Sequence, residues 1–246
     1  MDRATLIGQN KLLDKLESYT MQNVPKTLLF LGQNGCGKTW FAMNFADQLG
    51  LEYVHVPKDI DHWQLVEYSR CPIEKMYIID LRQFNEKDQN KLLKFIEEPA
   101  KTTYIVLLAE SEIGILPTIL NRCVKLRFEA YSIDELKKLS WVIKCTNDLM
   151  YNIFKTPGQL LNLTEENFKD CVDLCDKILN KFKQATYANV IKISTKINLD
   201  KNPEKIDFDN FFKVLTYMSF EKYKETNDEF SFRLYTYLVK KQAERI

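Results

Sequence analysis

Hydrophobic positions follow two regimes along this chain. In the first half they gather into short continuous runs: Thr27-Leu28-Leu29-Phe30-Leu31, Lys75-Met76-Tyr77-Ile78-Ile79-Asp80 and the stretch Thr103–Ala109. Runs this short, bounded by polar turns, read as strands buried on both faces of a sheet. Leu51-Glu52-Tyr53-Val54-His55-Val56 reads as another strand, and Val124-Lys125-Leu126-Arg127-Phe128 alternates apolar and basic residues as a fifth. Between the strands, apolar residues recur at helical spacing over 6–19, 40–49, 60–68 and 85–98, with a short helical segment over 113–120. Leu12, Leu13 and Leu16 share one helix face, and Leu92, Leu93 and Ile96 share another. Asn85 is placed to cap its helix, with Asp88 at the third helical position, and Pro99 stops it. Five strands alternating with helices predict an α/β domain whose parallel sheet is covered on both faces.

From Ser132 onward only helix patterns remain. Ser132-Ile133-Asp134-Glu135 spells a capping box, and amphipathic stretches follow over 167–184, 189–197, 208–223 and 228–243, with a loop over 198–203. The expected organisation is an α/β domain over 1–130, a small helical piece over 131–163 and an all-α domain over 164–246. Phe208, Phe211, Phe212, Tyr217, Phe220, Tyr223, Phe230, Phe232, Tyr235 and Tyr237 suit a helix-bundle core or a subunit interface better than a base-stacking platform.

One stretch carries chemistry outright. Gly32-Gln33-Asn34-Gly35-Cys36-Gly37-Lys38-Thr39 reads G-x-x-x-x-G-K-T between a strand and a helix. Such a loop turns its backbone N–H groups onto phosphate oxygens at a helix N-terminus. Lys38 would reach the β- and γ-phosphates and the Thr39 hydroxyl would ligate Mg²⁺. The chain has only seven glycines, so the match is informative. Asp80 closes an apolar strand downstream, where a carboxylate holds Mg²⁺ beside a P-loop; the alternative is a strand-end Asp capping the next turn. The Glu that activates water in many P-loop ATPases would follow at once, but Leu81 and Arg82 stand there. ATP or ADP binding is therefore expected, while hydrolysis is not.

Composition trims the remaining classes. Net charge is +1, so no global field calls for nucleic acid or membrane. The first residues lack an apolar signal region and no run of 18 apolar residues occurs, which predicts a soluble cytoplasmic protein with no membrane partner. Six cysteines form no C-x-x-C, and His55 and His62 lie near no cysteine pair, so no zinc is expected.

The order of motifs resembles the AAA+ clamp loaders, the family of bacterial DNA polymerase III delta-prime and gamma/tau subunits and of replication factor C. Ile7-Gly8-Gln9 precedes the P-loop; Asn90-Lys91-Leu92-Leu93-Lys94-Phe95-Ile96-Glu97-Glu98-Pro99 resembles the family's N-x-L-L-K-x-x-E-E-P helix; Asn121-Arg122-Cys123 is similar to its S-R-C motif; and Thr156-Pro157-Gly158 resembles the S-P-G turn of the delta-prime lid. The likeness runs from about Ile7 to Leu163. It implies an AAA+ sheet, a helical lid over 131–163 and a collar over 164–246 that joins other subunits in a hetero-pentameric ring. It also implies a sliding clamp and primer–template DNA as partners, Ile7 beside the nucleotide, and Arg122 as an arginine finger for the neighbouring subunit's ATP. Clamp-loader ATPases carry D-E after the third strand and a γ-phosphate-sensing arginine in the lid turn; here Asp80-Leu81 and Gly158 occupy those places. A sensor residue after the fourth strand would fall near Glu110 or Ser111. The pattern is nearest to delta-prime, with an intact P-loop.

Two other readings remain open from the sequence. A self-sufficient gamma-like ATPase would need Glu97 or Glu86 as its base. A P-loop kinase would need basic lid residues, yet no arginine follows Ser132 before Arg233. Lys87, Lys91 and Lys94 share the helix opening at Asn85 and could meet DNA phosphates; interleaved with Glu86 and Asp88, they equally suit a solvated face.

Overall fold

The computed structural model describes residues 8–139, 148–161, 163, 165–181 and 208–243. Ile7 and the helix expected over 189–197 lie outside the described residues. The α/β part runs α1 (Asn10–Glu17), β1 (Thr27–Leu31), α2 (Lys38–Gln48), β2 (Glu52–His55), α3 (His62–Arg70), β3 (Lys75–Asp80), α4 (Glu86–Glu97), β4 (Thr103–Ala109), α5 (Pro117–Leu120) and β5 (Val124–Arg127). Among the described residues the five strands form one sheet in the order β2-β3-β4-β1-β5, with every pairing parallel.

The apolar runs sit where burial is greatest. Every residue of β1 and β4 is buried, because both strands are central and helices cover both faces. Edge strands β2 and β5 are half-exposed, which explains their charged residues. Leu29, Leu31, Ile79 and Leu107 pack on one face against Leu65 of α3, Leu92, Phe95 and Ile96 of α4 and Ile119 of α5. On the other face, Phe30 of β1 and Phe41 of α2 meet Phe128 with ring centres 5.6 and 5.0 Å away.

Helix boundaries follow local chemistry. The Asn85 side chain accepts from the Asp88 N–H and opens α4 as predicted. Asp61 and Gln64 form a reciprocal capping box, so α3 starts at His62, two residues later than the apolar spacing suggests. Ser132 and Glu135 form the expected box at the start of α6 (Ile133–Lys138). The helical segment expected over 113–120 is shorter: Gly114 takes a positive φ in a turn, and only Pro117–Leu120 is helical, with Pro117 at its first position. On α4, Leu93 sits at the edge of the buried stripe and Phe95 takes the central place.

By its contacts the chain divides into two compact units, Met1–Trp141 with Lys155–Gln159, and Val142–Phe154 with Leu160–Ile246. Helices α7 (Asp148–Ile153), α8 (Pro157–Leu161), α9 (Glu165–Lys181), α10 (Phe208–Thr226) and α11 (Glu229–Ala243) follow α6, with α8 shared between the units. In the second unit α10 packs against α7, α9 and α11. Its seam with α11 is antiparallel, with aromatic rungs Phe220–Tyr235 and Tyr223–Phe232, each 4.8 Å between ring centres. Buried Phe211, Leu215, Leu234 and Leu238 fill out this helical core.

Candidate nucleotide site

The sheet register brings four strand ends level. Leu31 of β1 lies beside Ala109 and Arg127, and Asp80 of β3 lies beside Leu108. Because β1 sits between β4 and β5 while β2 lies at the far edge, a crevice opens at the carboxyl end of β1, where open α/β sheets bind ligands. The P-loop fills that position. Gly35 and Gly37 both take positive φ, at 79° and 96°, conformations that favour glycine. Lys38 and Thr39 begin α2, directly after Gly37.

The loop is bonded inward. Lys38 is 5 % exposed, and its Nζ donates to the carbonyls of Gly32 and Gln33 at 2.5 and 2.9 Å. Burial pushes its pKa below the usual lysine value, so an arriving anion would stabilise the charged form. The Cys36 thiol is buried and its pKa is raised by that burial. The Cys36 carbonyl accepts from the Tyr131 hydroxyl at 3.0 Å. Gln9 ties the chain before α1 to the stretch after β5: its Nε2 donates to the Glu129 carbonyl at 2.8 Å and its Oε1 accepts from the Glu129 N–H at 2.7 Å. Beside the loop lies a cleft of about 240 Å³ lined by Gly32, Gln33, Cys36, Phe128, Tyr131 and Thr156.

The turn before α8 docks on the P-loop. The Thr156 hydroxyl donates to the Asn34 carbonyl at 2.9 Å and the Gly158 N–H donates to the Gly35 carbonyl at 2.9 Å. A Cβ on Gly158 would lie 2.7 Å from the Gly35 Cα. An arginine could not stand at 158 with the loop as it is, which gives the glycine there a physical reason.

Asp80 holds a different partner from the one its position suggests. Its carboxylate accepts from Arg82 through both oxygens, at 2.9 Å to Nε and 2.6 Å to Nη2, and also from the Arg82 N–H at 3.2 Å. Arg82 Nη1 reaches on to Asn34 Oδ1 of the P-loop at 2.6 Å and stands 3.6 Å from Glu110. Burial alone would raise the Asp80 pKa, but the guanidinium and the backbone N–H outweigh it and hold the carboxyl below its ordinary value. Mg²⁺ needs oxygen ligands with free lone pairs in near-octahedral array. With both Asp80 oxygens engaged by a guanidinium, the residues present do not fit that ion. Asp80 caps the turn Leu81–Gln83 instead.

The other expected residues are separate. Arg122, just past α5, donates to the Thr118 carbonyl at 2.9 Å and pairs with Glu97 at the end of α4, 3.2 Å away. Lys87, Lys91 and Lys94 are exposed on α4, with Lys91 bonded to Asp88 at 2.7 Å. Buried Gln89 was not singled out from the sequence. Its Nε2 donates to the Phe84 and Gly114 carbonyls and its Oε1 accepts from the Leu116 N–H, so it ties α4 to the turn before α5. Arg82 and Thr156 were missed as site residues too. Only a basic residue two places after Asp80 could have pointed to the first of them.

Among the described residues no group of three or more His, Cys, Asp or Glu side chains is arranged to hold a metal, and no helix is long and apolar enough to cross a membrane.

A strand–P-loop–helix unit at the crevice of this five-stranded parallel sheet defines an α/β P-loop fold. Residues 66–132 match the family model described as DNA polymerase III, delta subunit. Over 67 residues the chain is 42 % identical to the DNA polymerase III subunit delta' of Bacillus subtilis, covering 26 % of this chain and 20 % of that protein. It is 22 % identical over 213 residues to the DNA polymerase III subunit gamma of Buchnera aphidicola, covering 72 % of this chain and 57 % of that protein. The chain thus spans a fifth and just over half of the length of these two curated relatives. Among solved structures, a DNA polymerase III gamma subunit-related protein of Thermotoga maritima superposes with a TM-score of 0.56 at 12 % identity, covering 95 % of this chain and 92 % of that one. The Thermotoga maritima RuvB Holliday junction branch migration motor gives 0.54 at 15 % identity, covering 91 % and 96 %. At these identities the two superpositions speak for the fold. The sequence matches add a likeness to DNA polymerase III delta' and gamma subunits.

Proposed function

We propose that this protein is a delta-prime-like subunit of a clamp loader. It serves a replicative DNA polymerase by helping to set a sliding clamp on primed DNA. In this reading residues 1–130 form the nucleotide-binding domain, 131–163 the lid and 164–246 the collar that joins neighbouring subunits in a hetero-pentameric ring. The P-loop holds ATP or ADP without turning it over. Arg122 is the finger offered to the next subunit.

The observation that carries this reading is the end of β3. A motor of this class needs a free carboxylate and an adjacent base; here Arg82 occupies the carboxylate of Asp80, and Leu81 stands in the base's place. Arg122 suits a role in trans because its present ties are weak. Its pair with Glu97 is 41 % and 31 % exposed, and exposed ion pairs contribute only about 0–1 kcal/mol. A neighbour's phosphate would draw the guanidinium away at little cost, since bidentate contacts to phosphate are charge-assisted.

ATP turnover tests the proposal. The protein alone is expected to be inactive. Within the assembly on primed DNA, Arg122→Ala should lower turnover by about 10³-fold or more at the site it completes, the scale of a lost arginine finger, while Lys38→Ala leaves turnover nearly unchanged. Turnover by the lone protein that Lys38→Ala abolishes would instead make it a self-sufficient gamma-like motor. Glu110 is then the carboxylate to examine, because it stands at the P-loop side of the sheet within 3.6 Å of Arg82.

A further inference from the structure

The cluster around Arg82 has a consequence for how the P-loop meets its ligand. Two carboxylates, Asp80 and Glu110, and the amide oxygen of Asn34 converge on one guanidinium. Asn34 belongs to the phosphate-binding loop, so Arg82 stands beside the loop, where a P-loop protein of ordinary type carries its divalent cation. We infer that Arg82 takes the place of that cation, so that this P-loop binds a nucleoside triphosphate or diphosphate without Mg²⁺. This rests on the reading of the P-loop as a nucleotide site.

The argument is one of competition for the same oxygens. A divalent ion in this position needs Asp80 with lone pairs available, and Mg²⁺ sheds water reluctantly, so it enters only where protein and phosphate oxygens are already arranged for it. Seating it here would break a two-point guanidinium–carboxylate fork and would leave Arg82 facing the ion as a like charge. Keeping Arg82 has no such cost. Its planar fork stays on Asp80 while the Nη1 side faces Asn34 and the loop, and a phosphate oxygen can replace the Asn34 amide as acceptor at that nitrogen. Lys38 and the N-terminus of α2 supply the remaining positive charge, as in any P-loop. The site can therefore balance an anion with protein groups alone. Its geometry also explains why the chain follows Asp80 with Leu81-Arg82: the cap on Asp80 turns the backbone so that Arg82 folds back onto the carboxylate two residues before it.

The test is equilibrium binding of the slowly hydrolysed analogue ATPγS to the full chain, in Mg²⁺ and in EDTA, for the wild type, Arg82→Ala and Arg82→Lys. The wild-type Kd is expected to agree within about twofold in the two buffers, and Arg82→Ala to bind at least about tenfold more tightly in Mg²⁺ than in EDTA, because Asp80 is then free to hold the ion. Arg82→Lys keeps the charge but loses the fork and should fall between them; it also carries the test if Arg82→Ala fails to fold by circular dichroism. Adding Mn²⁺ gives a second readout: its electron paramagnetic resonance signal should be quenched by the ATPγS complex of Arg82→Ala and not by that of the wild type. A wild-type Kd that weakens about tenfold or more in EDTA, with no gain in metal dependence on losing Arg82, would overturn the inference and leave the nucleotide site standing. Absence of ATPγS binding by every variant in both buffers would remove the nucleotide reading itself, and this inference with it.

Discussion

At the scale of single residues, the site is governed by which acceptor each cation has found. Lys38 rests on the carbonyls of its own loop and Arg82 on Asp80, so neither charge waits in solvent for a ligand. The Asp80–Arg82 pair makes a pH dependence. The folded-state pKa of Asp80 lies below its ordinary value of 3.8. A carboxyl shifted in that direction contributes stability that is fully present above the ordinary value and is lost as pH falls through the lower folded one. Thermal unfolding measured from neutral pH down to pH 3 should therefore show wild type losing more stability below about pH 4 than Asp80→Asn, which has no such proton to take up. Equal slopes for the two proteins would mean that the pair does not stabilise the folded state.

At the scale of elements, the question is what holds α4 and α5 in register, since Glu97 and Arg122 meet across them. Gln89 does much of this. A single buried amide, 2 % exposed, satisfies two carbonyls and one N–H belonging to the start of α4 and the turn at 114–116. Gln89→Leu fits in volume but leaves those backbone groups unpaired, and unsatisfied buried groups cost about 1–3 kcal/mol each. Urea denaturation is expected to show a loss of about 3 kcal/mol. A loss under about 0.5 kcal/mol would mean that water takes over the three bonds. Pattern alone located α4 well, because its cap, its apolar stripe and Pro99 all lie within fifteen residues of chain. It overestimated α5, because helical spacing over 113–120 says nothing of the turn that Gly114 and Pro117 impose.

At the scale of the whole molecule, charge is close to balanced, so any contact with DNA has to come from a local face. Lys87, Lys91 and Lys94 are the exposed candidates on α4, though Asp88 already takes one bond from Lys91. Under the clamp-loader reading, the triple change to Ala in the assembled complex should weaken binding to primed DNA. It should also flatten the plot of log affinity against log salt by about one unit for each phosphate contact removed. An unchanged slope would assign the three lysines to a solvated helix face, the alternative that their interleaving with Glu86 and Asp88 leaves open.

What the sequence determined by itself is everything that depends on near neighbours. Strand runs, helix caps and the P-loop are written within windows of a few residues, and the parallel sheet follows because alternating strands and helices have few other ways to bury both faces. The clamp-loader likeness was legible for the same reason, since its motifs are short and come in order. Only the tertiary structure decided what Asp80 does, where Gly158 sits and what restrains Arg122. Arg82 reaches a P-loop residue 48 positions earlier in the chain, and Thr156 bonds to a carbonyl 122 positions away. Whether a carboxylate keeps its lone pairs for a metal or gives them to a guanidinium depends on which groups the fold delivers to the same few ångströms, and no local pattern encodes that meeting.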